Sequence, residues 1–199
     1  MAQFDPALKK TLNHEGGYVD DPDDPGGETY KGISRKHHPD WTGWQVIDGV
    51  KQANPGAAQI DELLQQNDAL NDHIGLFYRS HYWNSIRGDD ITSQPVAEEL
   101  FDIAVNMGVR TAVRFLQETL NLLNRNQKNY EDIVEDGIIG INTLNTLSEL
   151  LALEHNDPSL LLKVINILRG DHYIAIMRKN PVQEKYARGW LKRVQINNI

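Results

Sequence analysis

The sequence predicts a mainly α-helical fold of about seven helices, with a small β-hairpin near its start. Three observations carry this. From residue 69 onward, apolar side chains recur at three- and four-residue spacing. Residues 18–33 hold two prolines and three glycines, which forbid a long helix there and confine strand to the first 35 residues. The chain has 199 residues, 40% hydrophobic and 24% charged, which is large enough to bury a core and too apolar for wholesale disorder.

Each element has its own signal. Asp5-Pro6 opens a first helix with Leu8, Leu12 and Phe4 on one face. Gly16-Gly17 stops it, which places Glu15 at its last residue. An irregular hairpin follows around Pro25-Gly26-Gly27. Residues 34–56 read as loop, punctuated by Pro39, Gly43, Gly49 and Pro55, with Trp41 and Trp44 inside it. Leu70, Ile74, Phe77, Tyr78 and His81 mark a helix over 69–83. Ala97, Leu100, Phe101, Ala104 and Met107 mark another over 95–107, started by Ser93-Gln94-Pro95 and stopped by Gly108. Thr111 is positioned to cap the next, which buries Val113, Leu116, Leu120 and Leu123. Further helices run from Asn142 to Leu153, from Asp157-Pro158 to about Lys179, and from Trp190 to Val194. The expected division is an N-terminal region of 1–95 and a helical region of 96–199 that completes the other wall of a cleft.

The chain is acidic, net −8, which argues against a protein built to grip nucleic acid. Residues 159–199 nevertheless carry eight Lys or Arg against two acids. Such a basic end either meets an anionic polymer or is simply a set of solvated helix faces. With no cysteine there is no disulfide, thiol nucleophile or thiolate zinc site. No run reaches about 18 apolar residues, so no membrane span is expected. The start lacks the apolar core of a signal peptide, so the expectation is synthesis in the cytoplasm and help in reaching any substrate outside it.

Glu15 is the focus for chemistry. A carboxyl at a helix C-terminus meets the negative end of the macrodipole, which favours its protonated form. A protonated carboxyl near neutral pH is what a general acid requires. Asp20, Asp21, Asp23 and Asp24 follow in the next loop, and paired carboxylates across a cleft are the machinery of glycoside hydrolysis. Loop aromatics are natural platforms for sugar rings. The candidate substrate contacts are Tyr18, Tyr30, Trp41, Trp44, Tyr82 and Trp83. Asn106, at the edge of the 95–107 stripe, is a further cleft candidate, against the plainer reading of a satisfied helix Asn. His14-Glu15 lacks the second histidine of a zinc-protease motif, since position 18 is Tyr. His37-His38 has no third ligand nearby, and the loop from Asp21 to Gly32 fails as a calcium loop.

His14-Glu15-Gly16-Gly17-Tyr18-Val19, Asp21-Pro22, Asp24-Pro25-Gly26-Gly27, Thr29 and Gly32-Ile33 together resemble the signature of glycoside hydrolase family 108. That is a family of N-acetylmuramidases also labelled secretion activator proteins. The resemblance continues through Tyr78-Arg79-Ser80-His81-Tyr82-Trp83 and through Phe101-Asp102-Ile103-Ala104-Val105-Asn106-Met107-Gly108. Asp136-Gly137-Ile138-Ile139-Gly140, Thr143-Leu144 and Gly189-Trp190-Leu191-Lys192-Arg193-Val194 look like the peptidoglycan-binding region that usually follows. The resemblance implies a lysozyme-like fold and hydrolysis of the β-1,4 bond from N-acetylmuramic acid to N-acetylglucosamine. It puts Glu15 at the catalytic acid position. The second catalytic group stays open among Asp24, Asp21 and a water held by Thr29. Glu28, Tyr30 and Lys31 depart from the family's usual small residue and Asn, a change that bears on substrate fit. No metal or organic cofactor is implied. The implied partner is peptidoglycan at the periplasm or cell wall, reached through a holin or an export partner by a protein expected to be monomeric. Two other readings are a peptidoglycan-binding module that no longer cuts and a hydrolase of chitin or chitosan.

Overall fold

The computed structural model describes residues 1–13, 16–20, 27–56 and 59–195. They form two compact units, Phe4–Asn84 and the combination of Met1–Gln3 with Ser85–Ile199.

The first unit begins with α1 (Phe4–Leu12). Its buried residues are Phe4, Ala7 and Thr11 rather than the expected Leu8 and Leu12. The helix also ends at Leu12, three residues before Glu15. The glycine pair is therefore not its immediate stop. Three strands of two residues follow, β1 (Tyr18–Val19), β2 (Thr29–Tyr30) and β3 (Ile33–Ser34), as an antiparallel sheet in the order β1-β2-β3. Tyr18 pairs with Tyr30, and Tyr30 with Ile33. The β2–β3 connection is the two-residue turn Lys31-Gly32, with φ of 47° and 79°. Positive φ at both positions is the geometry that matches strand twist in a tight hairpin. The sheet thus has a second, tighter hairpin that the Pro-Gly-Gly reading did not anticipate.

Residues 43–53, expected as loop, form α2 (Gly43–Ala53). Its buried Trp44 and Ile47 lie three apart on one face, and tertiary burial of that face outweighs the two glycines. A short α3 (Ile60–Gln65) precedes α4 (Asp68–Tyr78), which Asn67 caps by accepting from the Leu70 N–H at 3.0 Å. The expected helix over 69–83 instead widens into a π-helical turn at Arg79–Trp83. Trp83 is fully buried there, edge-on to Phe4 with ring centres 5.6 Å apart.

In the second unit α5 (Gln94–Met107) and α6 (Val109–Leu123) are separated by Gly108 alone, at φ 88°. Glycine is the residue that adopts this backbone without strain. Thr111 therefore lies within α6 rather than capping it. The helices α7 (Ile141–Leu153), α8 (Ser159–Lys179) and α9 (Ala187–Lys192) complete the unit, with a 3-10 turn at Pro181–Tyr186. Leu100, Phe101, Val113, Leu116, Leu147 and Ile165 form its core. Arg169 of α8 is 1% exposed and meets Glu99 at 3.0 Å and Asp102 at 2.5 Å, while Arg193 reaches Asp102 at 3.2 Å. Two of the eight basic residues of the C-terminal stretch are thus spent on neutralising acids of α5 rather than on a charged outer face. No described helix is long and apolar enough to cross a membrane.

Candidate active site

Strands of two residues have little stability of their own. Side chains hold this sheet. Glu28, just before β2, is only 10% exposed at its side chain, and three donors converge on it. The Tyr18 hydroxyl donates to Glu28 Oε1 at 2.6 Å, Lys51 Nζ of α2 to the same oxygen at 3.0 Å, and Arg35 Nη1 to Oε2 at 2.9 Å. Lys51 also donates to the Tyr18 hydroxyl at 2.7 Å and to Asp20 at 3.1 Å. Arg35 also bonds Asp48 at 2.7 Å and lies over the Trp44 ring, 4.6 Å from its centre. One carboxylate therefore ties β1, β2, the residue after β3, and α2 together.

The electrostatics follow from this wiring. Burial, then the bond to Glu28, pushes the Tyr18 phenol up to about 12, so it stays protonated. The hydrogen bond to Tyr18, with those to Glu28 and Asp20, raises Lys51 above the ordinary lysine range. The hydrogen bond from Lys51 holds the Asp20 carboxyl below the usual range. Lys51 and Tyr18 line a recess of about 200 Å³ beside the strand.

Asp61, at the start of α3, fixes the other side of β1. Its Oδ1 accepts from the Tyr18 N–H at 2.8 Å and its Oδ2 from Gln65 at 2.7 Å. A Cβ at Gly17 would collide with this carboxylate, so the second glycine of the Gly-Gly-Tyr segment is required for close approach.

A second feature of the same unit is a groove of about 430 Å³ between the 37–42 segment and α4. Trp41 is half-buried on it, edge-on to Trp44 at 5.1 Å, with its Nε1 donating to the His73 carbonyl at 3.3 Å. Phe77 stacks on His81 at 4.2 Å, and His38 meets Phe77 edge-on at 4.8 Å. His81 Nδ1 lies 2.9 Å from the Phe77 carbonyl and 3.1 Å from the Ser80 hydroxyl. His73 Nδ1 bonds the Thr42 hydroxyl at 2.9 Å. Burial holds His38 below the ordinary imidazole range, and His81 and His37 add to this by repulsion. Among the described residues no three His, Asp or Glu side chains converge as a metal site. The groove thus offers ring faces beside hydrogen-bonding imidazoles, the mixture that suits an uncharged hydroxylated ring.

Glu15, Asp21 and Asp24 lie outside the described residues. Thr29 is half-buried, and its hydroxyl donates to the Gly27 carbonyl at 3.0 Å. Tyr18 and Tyr82 are half-buried. Three of the aromatics proposed as exposed platforms belong to the core: Tyr30 and Trp83 are 0% exposed and Trp44 is 3%. Trp44 donates its Nε1 to the His38 carbonyl at 2.8 Å and shapes the groove from beneath. Asn106 is exposed, and its side chain bonds back to the Asp102 carbonyl at 2.8 Å, the satisfied-helix arrangement. Glu28, Lys51 and Arg35 were not singled out as a group. Their separations of 7 to 23 residues leave no periodic signal. His73 and His81 did have one, since with Phe77 they follow at four-residue spacing on α4 and its continuation.

Comparison with known proteins places this unit. Residues 8–108 match the family model described as Glycosyl hydrolase 108, and residues 111–195 match the one described as Predicted Peptidoglycan domain. The first match covers half the chain, and the fold and order of parts agree with it: this is a glycoside hydrolase. The chain belongs to glycosyl hydrolase family 108. It is similar to a solved structure from Brucella abortus, titled "Structure of Brucella abortus SagA", at 25% identity and a TM-score of 0.57, over 96% of this chain and 88% of that one. No curated protein matches. The mainly α, lysozyme-like class expected from the sequence is the one observed, and the two matched regions make the protein an enzyme that acts on peptidoglycan.

Proposed function

We propose that the protein is an N-acetylmuramidase that cleaves the β-1,4 bond from N-acetylmuramic acid to N-acetylglucosamine, with Glu15 as general acid. The observation that carries this is the family match over residues 8–108, which contains the Glu15-Gly16-Gly17-Tyr18 segment. Glu15 protonates the leaving oxygen. Asp24, Asp21 or a water held by Thr29 serves the oxocarbenium-like centre from the other side. The geometry supports this in two ways. The Glu28 and Asp61 contacts make a rigid frame for the residues that follow Glu15, and catalysis depends on such positioning. The Trp41 and Phe77 groove in the same unit has the chemistry to seat neutral sugar rings. Trp41 is the ring contact of this reading, and Tyr18, whose hydroxyl is committed to Glu28 and Lys51, acts through the frame.

Glu15→Gln tests the assignment, because it keeps the shape of the side chain and removes the transferable proton. Wild-type protein is expected to clear a suspension of purified sacculi, and the variant to lose at least about a hundredfold in rate with an unchanged circular dichroism spectrum. A folded Glu15→Gln protein that clears sacculi at the wild-type rate would overturn the role of Glu15.

A further inference from the structure

The second unit carries a groove of about 720 Å³ between the 130–141 segment, α6 and the start of α7. Its floor is built. Gln117 of α6 is 1% exposed, and its Nε2 donates to Asp136 Oδ1 at 2.9 Å, the Ile138 carbonyl at 3.1 Å and Thr143 Oγ1 at 3.3 Å. Its Oε1 accepts from the Gly137 N–H at 2.8 Å. Gly137 has φ 75°, and a Cβ there would run into Arg110, so the turn is held in one shape. A wall held this way is preorganised for a ligand.

The lining has two sorts of side chain. Val134, Ile138 and Ile141 are 77%, 69% and 61% exposed, an apolar rim with nothing packed over it. Beside them stand Glu131, Asp132 and Asp136, and among the described residues no Lys or Arg lines the groove. Asp132 is already engaged by Asn124 and Gln127. Glu131 and Asp136 are exposed. The Gln117 hydrogen bond, with smaller help from the Ile138 N–H and Arg110, keeps the Asp136 carboxyl below the usual range and so ionised.

The occupant follows from charge complementarity. N-acetylated sugars are uncharged, so nothing in them answers Glu131 and Asp136, and the lining sets four branched aliphatic residues, Ile133, Val134, Ile138 and Ile141, beside the ring of Tyr130. The stem peptide of peptidoglycan supplies both features: the ammonium of its diamino acid, and the methyl groups of the alanines elsewhere in the same stem. We propose that this groove binds the stem peptide, with that ammonium against Asp136 and Glu131 and the methyl groups on Val134, Ile138 and Ile141. The inference rests on the reading of the chain as a peptidoglycan hydrolase and assigns peptide recognition to the second unit. Charge-assisted bonds from an ammonium to carboxylates select a free amine over an amidated or cross-linked one. The groove then directs the enzyme to strands whose stems are not cross-linked.

The test is calorimetric titration of the full chain with N-acetyl-L-Ala-γ-D-isoglutaminyl-L-Lys-D-Ala and with the same peptide acetylated at the lysine Nζ. The free amine is expected to bind at least about tenfold more tightly, the worth of one charge-assisted hydrogen bond. Glu131→Gln, an exposed change, should weaken binding of the free amine and leave the acetylated peptide unaffected. Asp136→Asn, which keeps the acceptor for Gln117 and Ile138, should do the same. Equal binding of both peptides would overturn the proposal, as would no binding by protein that releases reducing ends from sacculi. Selective peptide binding by protein that releases none would uphold the groove and overturn the hydrolase reading.

Discussion

Replacing Glu28 by Gln removes the charge at the centre of the sheet and changes little else in shape. The carboxylate takes hydrogen bonds from Tyr18 at 2.6 Å, Lys51 at 3.0 Å and Arg35 at 2.9 Å. The amide has one oxygen to accept with, and its NH2 group faces a cation. Breaking a well-buried ion pair by removing one partner costs about 3–5 kcal/mol, which sets the upper bound. Two features reduce the loss. Lys51 and Arg35 are 36% and 33% exposed at their side chains, so water screens them once freed. Each also keeps another acid, Asp20 for Lys51 and Asp48 for Arg35. The expected cost is that of one hydrogen bond to a charged group, about 1.5–3 kcal/mol. In urea denaturation followed by circular dichroism, the midpoint should fall with the slope unchanged. Activity on sacculi should drop further than the folded fraction alone explains, because the frame that follows Glu15 is loosened. A loss under about 0.5 kcal/mol would refute the reasoning, since it would mean that Glu28 is no more than a surface carboxylate.

Other consequences are separate and as definite. Gly17→Ala should destabilise by about 1–3 kcal/mol through the collision with Asp61, whereas Gly16→Ala, which meets open space, should cost far less; equal effects in thermal melts would contradict the close approach. Arg169→Met removes the buried cation shared by Glu99 and Asp102, leaves Asp102 with Arg193, and should cost about 3–5 kcal/mol, and a triple variant that also replaces both acids by apolar residues should recover much of it. The His38 imidazole should titrate in NMR below the ordinary value of about 6.5. Because its folded-state pKa is depressed, the unfolded chain binds the proton more readily. That contribution to stability is complete above the ordinary value and is lost as pH falls through it toward the folded value. A His38 midpoint at or above 6.5 would show that its ring is solvated.

The long helices were legible because their burial follows one period. Leu100, Phe101 and Ala104 in α5 and Val113, Leu116 and Leu120 in α6 are all buried where the spacing put them. The helix α2 was not, because Gly43 and Gly49 read as breaks while the stabilising contacts of Trp44 and Ile47 come from outside the segment. The Lys31-Gly32 hairpin was masked by the stronger turn signal of Pro25-Gly26-Gly27. Residue type marked the aromatics as notable but not their environment. Tyr30, Trp44 and Trp83 went to the core, and Trp41 alone of the tryptophans proposed for substrate stands on the groove. The Glu28 frame was hidden for a different reason, since ion pairs between distant residues leave no trace in local pattern. The family signature around Glu15 was legible because it is a run of consecutive residues, and packing fixes one of them, since a Cβ at Gly17 would meet the Asp61 carboxylate.

The central claim is the bond that is cut. Purified sacculi should be digested with wild-type protein and with Glu15→Gln, the soluble fragments reduced with borohydride, and their ends identified by mass spectrometry. The account predicts reduced N-acetylmuramic acid ends from the wild-type protein and none from the variant. Reduced N-acetylglucosamine ends would contradict it by placing the cut at the other glycosidic bond, and muramic acid ends from both proteins would contradict the assignment of Glu15.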